Sequence, residues 1–280
     1  MIRPLIAGLA GFVAVGGAQA APAAVAPPKP TEWRTPAPED VVVIDTNKGR
    51  IVVELIPEVA PGHVARFQEL TREGVYDGRT FFRVIDRFMA QTGDPDDTGE
   101  GGTKKPNLKA EFTFRRDATT PFAAAAAPAG TEVGFLKSLP VVSQAWSWAE
   151  VTSDKKVSAW GTYCPGVVGE ARDEDPNSAN SQFFLMRQPY PSLDKRYTAY
   201  GRVLSGLDVV RAIKTGEPVA KPQDQMTKVR LLSDIPAAER PTVRVVDTGS
   251  AWFKAEVARK RAARGADFSV CDVDLAVDIR

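Results

Sequence analysis

The run VVVIDTNKGRIVVEL, from Val41 to Leu55, narrows the available folds more than any other stretch of this chain. Two segments rich in Val and Ile flank Asn47-Lys48-Gly49. Such β-branched runs around an Asn/Gly centre spell a β-hairpin. The same grammar recurs downstream. Phe81–Asp94 reads as two more strands, SQFFLMR as another, YTAYGRVLSG as another, and MTKVRLLSDIP as a last one. Only two segments of this region read as helices. One is Ala60–Gly74, with Pro61 in its first turn and Val64, Phe67, Leu70 and Thr71 on one face. The other is LDVVRAIKTG, where Val209, Val210 and Ile213 can face inward. Many short strands with few helices predict a mainly β barrel or sandwich, not a doubly wound sheet.

The ends differ in kind. Residues 1–20, MIRPLIAGLAGFVAVGGAQA, combine Arg3, an apolar run from Leu5 to Val15, and the small-x-small triplet Ala18-Gln19-Ala20. The run is short for a membrane span, and the pattern is that of a signal peptide cleaved after Ala20. No stable membrane insertion is expected after cleavage, and the expected location is secreted, in a bacterial periplasm. Residues 21–40 are rich in Pro and Ala and read as a linker. Between 115 and 165 periodicity fades. The stretch AAAAAPAG reads as low complexity, and the topology there is not legible. Beyond Pro236, residues 237–280 form a tail in which AWFKAEVARKRAARG predicts a basic helix ending at Gly265. One reading gives this helix a role in partner assembly.

Net charge is +1, which offers no polyelectrolyte surface for nucleic acid. The two cysteines, Cys164 and Cys271, are either a disulfide in an oxidising compartment or two buried small residues. They make no zinc site, and the one histidine, His63, reads as a surface residue on the first helix. Asp173, Glu174 and Asp175 read as a solvated turn, and GEGG (99–102) as a flexible loop without phosphate-loop context. No cofactor or metal is expected. What remains is Arg83 and Gln91 among Phe88 and Met89, with Met89 and Gln91 on one strand face. An apolar pocket with one cation and one amide suits a reaction that needs only binding and polarisation. Prolyl isomerisation is such a reaction, because its barrier, roughly 18–20 kcal/mol, is lost amide resonance.

FFRVIDRFMAQTGDP resembles the signature of the cyclophilin family of peptidyl-prolyl cis-trans isomerases, in which Phe-His-Arg is followed by Phe-Met-x-Gln-x-Gly-Asp. SANSQFFLM resembles the family's second motif and LDKRYTAYGRVLSGLDVV its third, in the same order. The resemblance spans about residues 41–236, with an enlarged insertion at about 115–165. It implies a closed eight-stranded antiparallel barrel capped by two helices, and peptidyl-prolyl isomerase activity; with the leader, the expected substrates are proline-containing segments of exported polypeptides. Carried over by position, Arg83 is catalytic, while Phe88, Met89, Gln91, Phe184 and Leu193 bind substrate. Ala171 and Arg172 fall where the family contacts the preceding peptide, and Tyr197 stands where many members have a pocket histidine. Phe82 replaces the usual histidine beside the arginine and is expected to face away from the pocket. Ser192 replaces a tryptophan that helps bind cyclosporin, so weak cyclosporin binding is expected. Glu170 occupies a position that is commonly apolar and is expected to alter the groove beside the pocket. A non-catalytic peptide-binding module is the alternative reading. Oligomeric state is not legible.

Overall fold

A computed structural model describes residues 26–280. The leader expected over 1–20 lies outside the described residues. Eight antiparallel strands form one curled sheet. Their order is Met226–Leu231, Val41–Thr46, Gly49–Leu55, Ala199–Ser205, Val167–Glu170, Phe183–Met186, Met89–Thr92 and Arg83–Ile85. The expected hairpin is present, Val41 to Thr46 pairing with Glu54 to Gly49. The expected closed barrel is not: the sheet is open. Its two edges are joined by isolated bridges, Thr80 with Gln225 and Val84 with Gly216, and by single backbone hydrogen bonds around them, not by a continuous ladder. The edge strand Arg83–Ile85 is three residues long. The segment that returns past it contains Pro218 and Pro222, which have no N–H to extend a ladder.

Helix α1 (Pro61–Arg72) buries Val64, Phe67 and Leu70 inside the curl. The Phe67 ring lies 4.9 Å from that of Tyr76 and 5.0 Å from that of Phe183. Helix α2 (Leu207–Ala212) is shorter than its sequence pattern. Ile213 is already extended, and the Lys214 N–H donates to Asp224 Oδ2 at 2.8 Å instead of continuing the helix.

The insertion is a second antiparallel sheet. Its order is Phe114–Arg116, Val157–Gly161, Leu139–Gln144, Thr131–Leu136 and Phe122–Ala126. The alanine run read as low complexity is the last of these strands. Alanine is a poor strand former, but here pairing with Thr131–Leu136 decides the conformation. Helix α3 (Ala251–Arg264) starts at Ser250, whose hydroxyl accepts the Phe253 N–H at 3.1 Å, and ends at Gly265. Phe253 packs edge-on against Phe135 of the insertion, with ring centres 5.2 Å apart. A third sheet joins Trp33–Arg34, Val243–Val246 and Val277–Ile279. Arg34 of the Pro/Ala-rich stretch reaches into the first sheet, where its Nη2 donates to the buried Glu54 at 2.7 Å. Cys164, beside the curled sheet, is disulfide-bonded to Cys271 of the tail.

Candidate functional site

Arg83, on the edge strand, sits opposite Gln91 on the neighbouring strand. The pairing puts the two side chains side by side, and Arg83 Nη1 donates to Gln91 Oε1 at 3.1 Å. Gln91 Nε2 donates in turn to Gln182 Oε1 at 2.9 Å, and Gln182 Nε2 donates to the carbonyls of Gly99 and Gly101. On its other side Arg83 Nε donates to Glu217 Oε1 at 2.6 Å. Nη2 has no hydrogen-bond partner among the described residues. The guanidinium is thus aimed by two acceptors and keeps one nitrogen for a third.

These residues border a cavity of about 480 Å³. All nine residues singled out in the sequence line it: Arg83, Phe88, Met89, Gln91, Ala171, Arg172, Phe184, Leu193 and Tyr197. Met89 and Phe184 are buried and form the floor. Arg172 lies 4.4 Å from the centre of the Tyr197 ring, a cation–π contact that fixes both side chains at one rim. Both ends of the Gln91 amide are engaged, yet an amide has two N–H groups and two acceptor lone pairs, so one of each stays available.

The cavity also takes in residues the sequence did not single out. Glu217 and Pro218 form one wall, and Thr98, Gly99 and Glu100 another. The loop read as flexible is held by Asp94. Its buried carboxylate accepts the N–H groups of Asp96, Thr98, Gly99 and Gly101 and the Thr98 hydroxyl. Burial pushes the Asp94 pKa up, but these hydrogen bonds outweigh it and hold it below the ordinary carboxylate value. Phe82 lines the cavity as well, contrary to the expected outward orientation. It precedes the regular strand Arg83–Ile85, so strand alternation does not govern it.

Two further expectations are corrected behind the Arg172 rim. His63 is not a surface residue but 4% exposed. Its Nδ1 meets Glu111 at 2.7 Å and its Nε2 meets Glu170. Glu170 does not border the groove. It is buried, accepts the Thr198 N–H at 3.0 Å, and faces His63 from the strand that leads into Ala171 and Arg172. Glu111 also accepts the Gly62 and His63 N–H groups at the start of α1. Desolvation lowers the His63 pKa, but the two carboxylates more than reverse this and raise it above its ordinary value. Glu111 is held below its own, despite burial, by hydrogen bonds from His63 and the helix N-terminus. Asp173, Glu174 and Asp175 are exposed, as a solvated turn requires. Among the described residues no cluster of three or more His, Cys, Asp or Glu side chains could hold a metal ion, and no helix is long and apolar enough to cross a membrane.

Residues 41–233 match the family described as "Cyclophilin type peptidyl-prolyl cis-trans isomerase/CLD". A probable peptidyl-prolyl cis-trans isomerase of Brucella suis is 36% identical over 201 residues, covering 70% of this chain and 85% of its own. A peptidyl-prolyl cis-trans isomerase of Schizosaccharomyces pombe is 32% identical over 170 residues, covering 61% of this chain and 82% of its own. The crystal structure of a cyclophilin from Hirschia baltica superimposes with a TM-score of 0.82 at 34% identity, over 89% of this chain and 94% of that one.

Proposed function

The chain belongs to the cyclophilin-type peptidyl-prolyl cis-trans isomerases and is an enzyme of that class, and from this premise we propose that it turns X–Pro bonds of exported polypeptides with Arg83 as the catalytic donor. The observation that carries the reading is the geometry of Arg83. Its guanidinium is oriented by Glu217 and Gln91 at the mouth of an apolar cavity, with Nη2 unpartnered. As the C–N bond twists, amide resonance is lost and the proline nitrogen gains a lone pair. A donor fixed beside that nitrogen binds the twisted state better than either planar one, which is catalysis by differential binding. Phe88, Met89, Phe184 and Leu193 hold the pyrrolidine ring away from water. Tyr197 adds to this wall, Gln91 binds the substrate backbone, and Ala171 and Arg172 take the residues before the proline.

Action on exported chains is supported by the leader-like sequence at residues 1–20 and by the Cys164–Cys271 bond, since disulfides persist in oxidising compartments. A periplasmic location follows from this reading. Cell fractionation tests the location, and recovery of the protein in the cytoplasm would overturn it; mass spectrometry of the exported protein tests cleavage after Ala20, and an N-terminus at Met1 would overturn that. The catalytic assignment is tested by NMR line shapes of an Ala-Pro peptide with wild type and Arg83→Ala side by side. Accelerated exchange that Arg83→Ala abolishes while staying folded supports it. Equal acceleration by both proteins refutes it.

A further inference from the structure

A cavity larger than that of the isomerase site lies away from it, between the insertion and the tail, and measures about 790 Å³. One wall is the strand Phe122–Ala126. Pro121, Phe122, Ala123, Ala124 and Ala125 all line the cavity in succession. A cavity on one face of a regular strand would touch alternate residues only; Pro121 to Ala124 line this one in succession, ahead of the irregularity between Ala124 and Ala126, so it runs along the strand's edge. The strand is last in its sheet and pairs only with Thr131–Leu136. The opposite wall is one stripe of α3, formed by Phe253, Lys254, Val257, Ala258 and Arg261. An exposed edge is a template for another strand, and natural proteins ordinarily cover or charge it. Here the edge carries alanines, and the helix stands back from it.

The rim is cationic. Arg34, Lys137, Lys254 and Arg261 border the cavity against a single acid, Asp247. Arg34 and Lys137 are committed to Glu54 and Glu58. On α3, Arg259 and Lys260 are paired with Glu256 and Asp274, whereas Lys254 and Arg261 form no ion pair among the described residues. An unpaired edge of five residues, roughly 16 Å long at strand rise, thus faces two uncommitted cations across an apolar floor.

We infer that this groove is a second polypeptide site, which binds an extended, acidic, apolar segment by adding it as a strand to the edge at Phe122–Ala126, with its carboxylates on Lys254 and Arg261. Strand addition draws affinity from main-chain hydrogen bonds and selectivity from alternate side chains. It needs no proline, so the site can hold a client that the isomerase cavity does not.

The test is fluorescence anisotropy of a fluorescein-labelled peptide of alternating glutamate and valine without proline, titrated with the full chain. The expected result is saturable binding that weakens with salt and persists in Arg83→Ala. It falls about tenfold or more in the double variant Lys254→Glu/Arg261→Glu, and also in Ala258→Trp, which fills the groove from an exposed position. Near-UV circular dichroism confirms that each variant is folded. Absence of saturable binding overturns the inference, as does binding that both groove variants leave intact or that Arg83→Ala abolishes. It also falls if light scattering shows a dimer that the groove variants dissociate, since a second copy would then be the occupant.

Discussion

Glu217 accepts the Nε–H of Arg83 at 2.6 Å, although the two residues are 134 positions apart in sequence. The carboxylate lies on the segment that bridges the open sheet's edges, and it fixes the guanidinium against the Gln91 amide. In the proposed mechanism this relationship separates two contributions: the charge that acts and the carboxylate that aims it.

Removing the charge and removing the aim should therefore differ in size. Arg83→Ala is expected to lower kcat/KM by about 10²–10³-fold, the cost of losing a preorganised donor. Glu217→Gln is expected to cost about fivefold or less, because a half-exposed ion pair is worth ~1 kcal/mol at most. Steady-state isomerisation of an X–Pro peptide checks both, and a Glu217→Gln loss as large as that of Arg83→Ala would make Glu217 more than a positioning residue.

Stability should depend on pH through His63. Its folded pKa is raised above 6.5 by Glu111 and Glu170 despite desolvation. The stabilisation is thus fully present below the unfolded value and is lost as pH rises through the folded one. Glu111 has the opposite sign: its lowered pKa contributes above the ordinary value and is lost on acidification. His63→Gln leaves Glu170 buried without its cation, at a cost of about 3–5 kcal/mol. The Tm gap between wild type and His63→Gln should be widest near pH 6 and narrow toward pH 9. A gap constant across that range would show that folding does not raise the His63 pKa, and a gap that widens toward pH 9 would show that His63 is held neutral when folded.

The loop beside the cavity depends on Asp94 and on the lack of a side chain at Gly101. A Cβ at residue 101 would fall 2.1 Å from Asp94 Oδ1. Gly101→Ala and Asp94→Ala should both displace the Thr98–Glu100 wall and raise KM for peptide more than they lower kcat. Unchanged KM in both variants would remove this loop from substrate binding.

Reduction should destabilise the whole chain. The Cys164–Cys271 bond spans 107 residues, and loss of a native disulfide closing a long loop costs about 2–5 kcal/mol. Cys271→Ser should lower the urea midpoint accordingly, and a wild-type protein indifferent to dithiothreitol would contradict it.

Ser192 is exposed in the turn that carries Leu193 into the cavity. The weak cyclosporin binding expected from the sequence is checked by calorimetry: wild type should bind weakly and Ser192→Trp more tightly. Equal affinity for both proteins would exclude this position as the cause.

The site was legible where function is written locally. Arg83, Phe88, Met89 and Gln91 share one hairpin, and Phe184, Leu193 and Tyr197 fall in runs whose order matches a known pattern. Glu217 left no such signal, because it comes alongside Arg83 only once the sheet has curled, and Gln182, though inside a matching run, meets Gln91 only when the strands beside them pair. His63 was misread for the same reason. Its environment comes from Glu111 and Glu170, 48 and 107 positions away. The strand at Phe122–Ala126 was hidden by composition, since alanine carries no strand preference and the partner strand supplies the instruction.

The sheet that joins Trp33–Arg34, Val243–Val246 and Val277–Ile279 has a consequence for how the protein is made. Its middle strand is separated from Arg34 by the entire isomerase segment, so nothing can pair with Trp33 until that segment has been synthesised. Contacts of such high sequence separation are slow to form. Arg34, the partner of the buried Glu54, therefore waits for the last fifth of the chain. Closure of this sheet comes late in synthesis, and a truncation within residues 243–279 should leave the early-made strands without their final clasp.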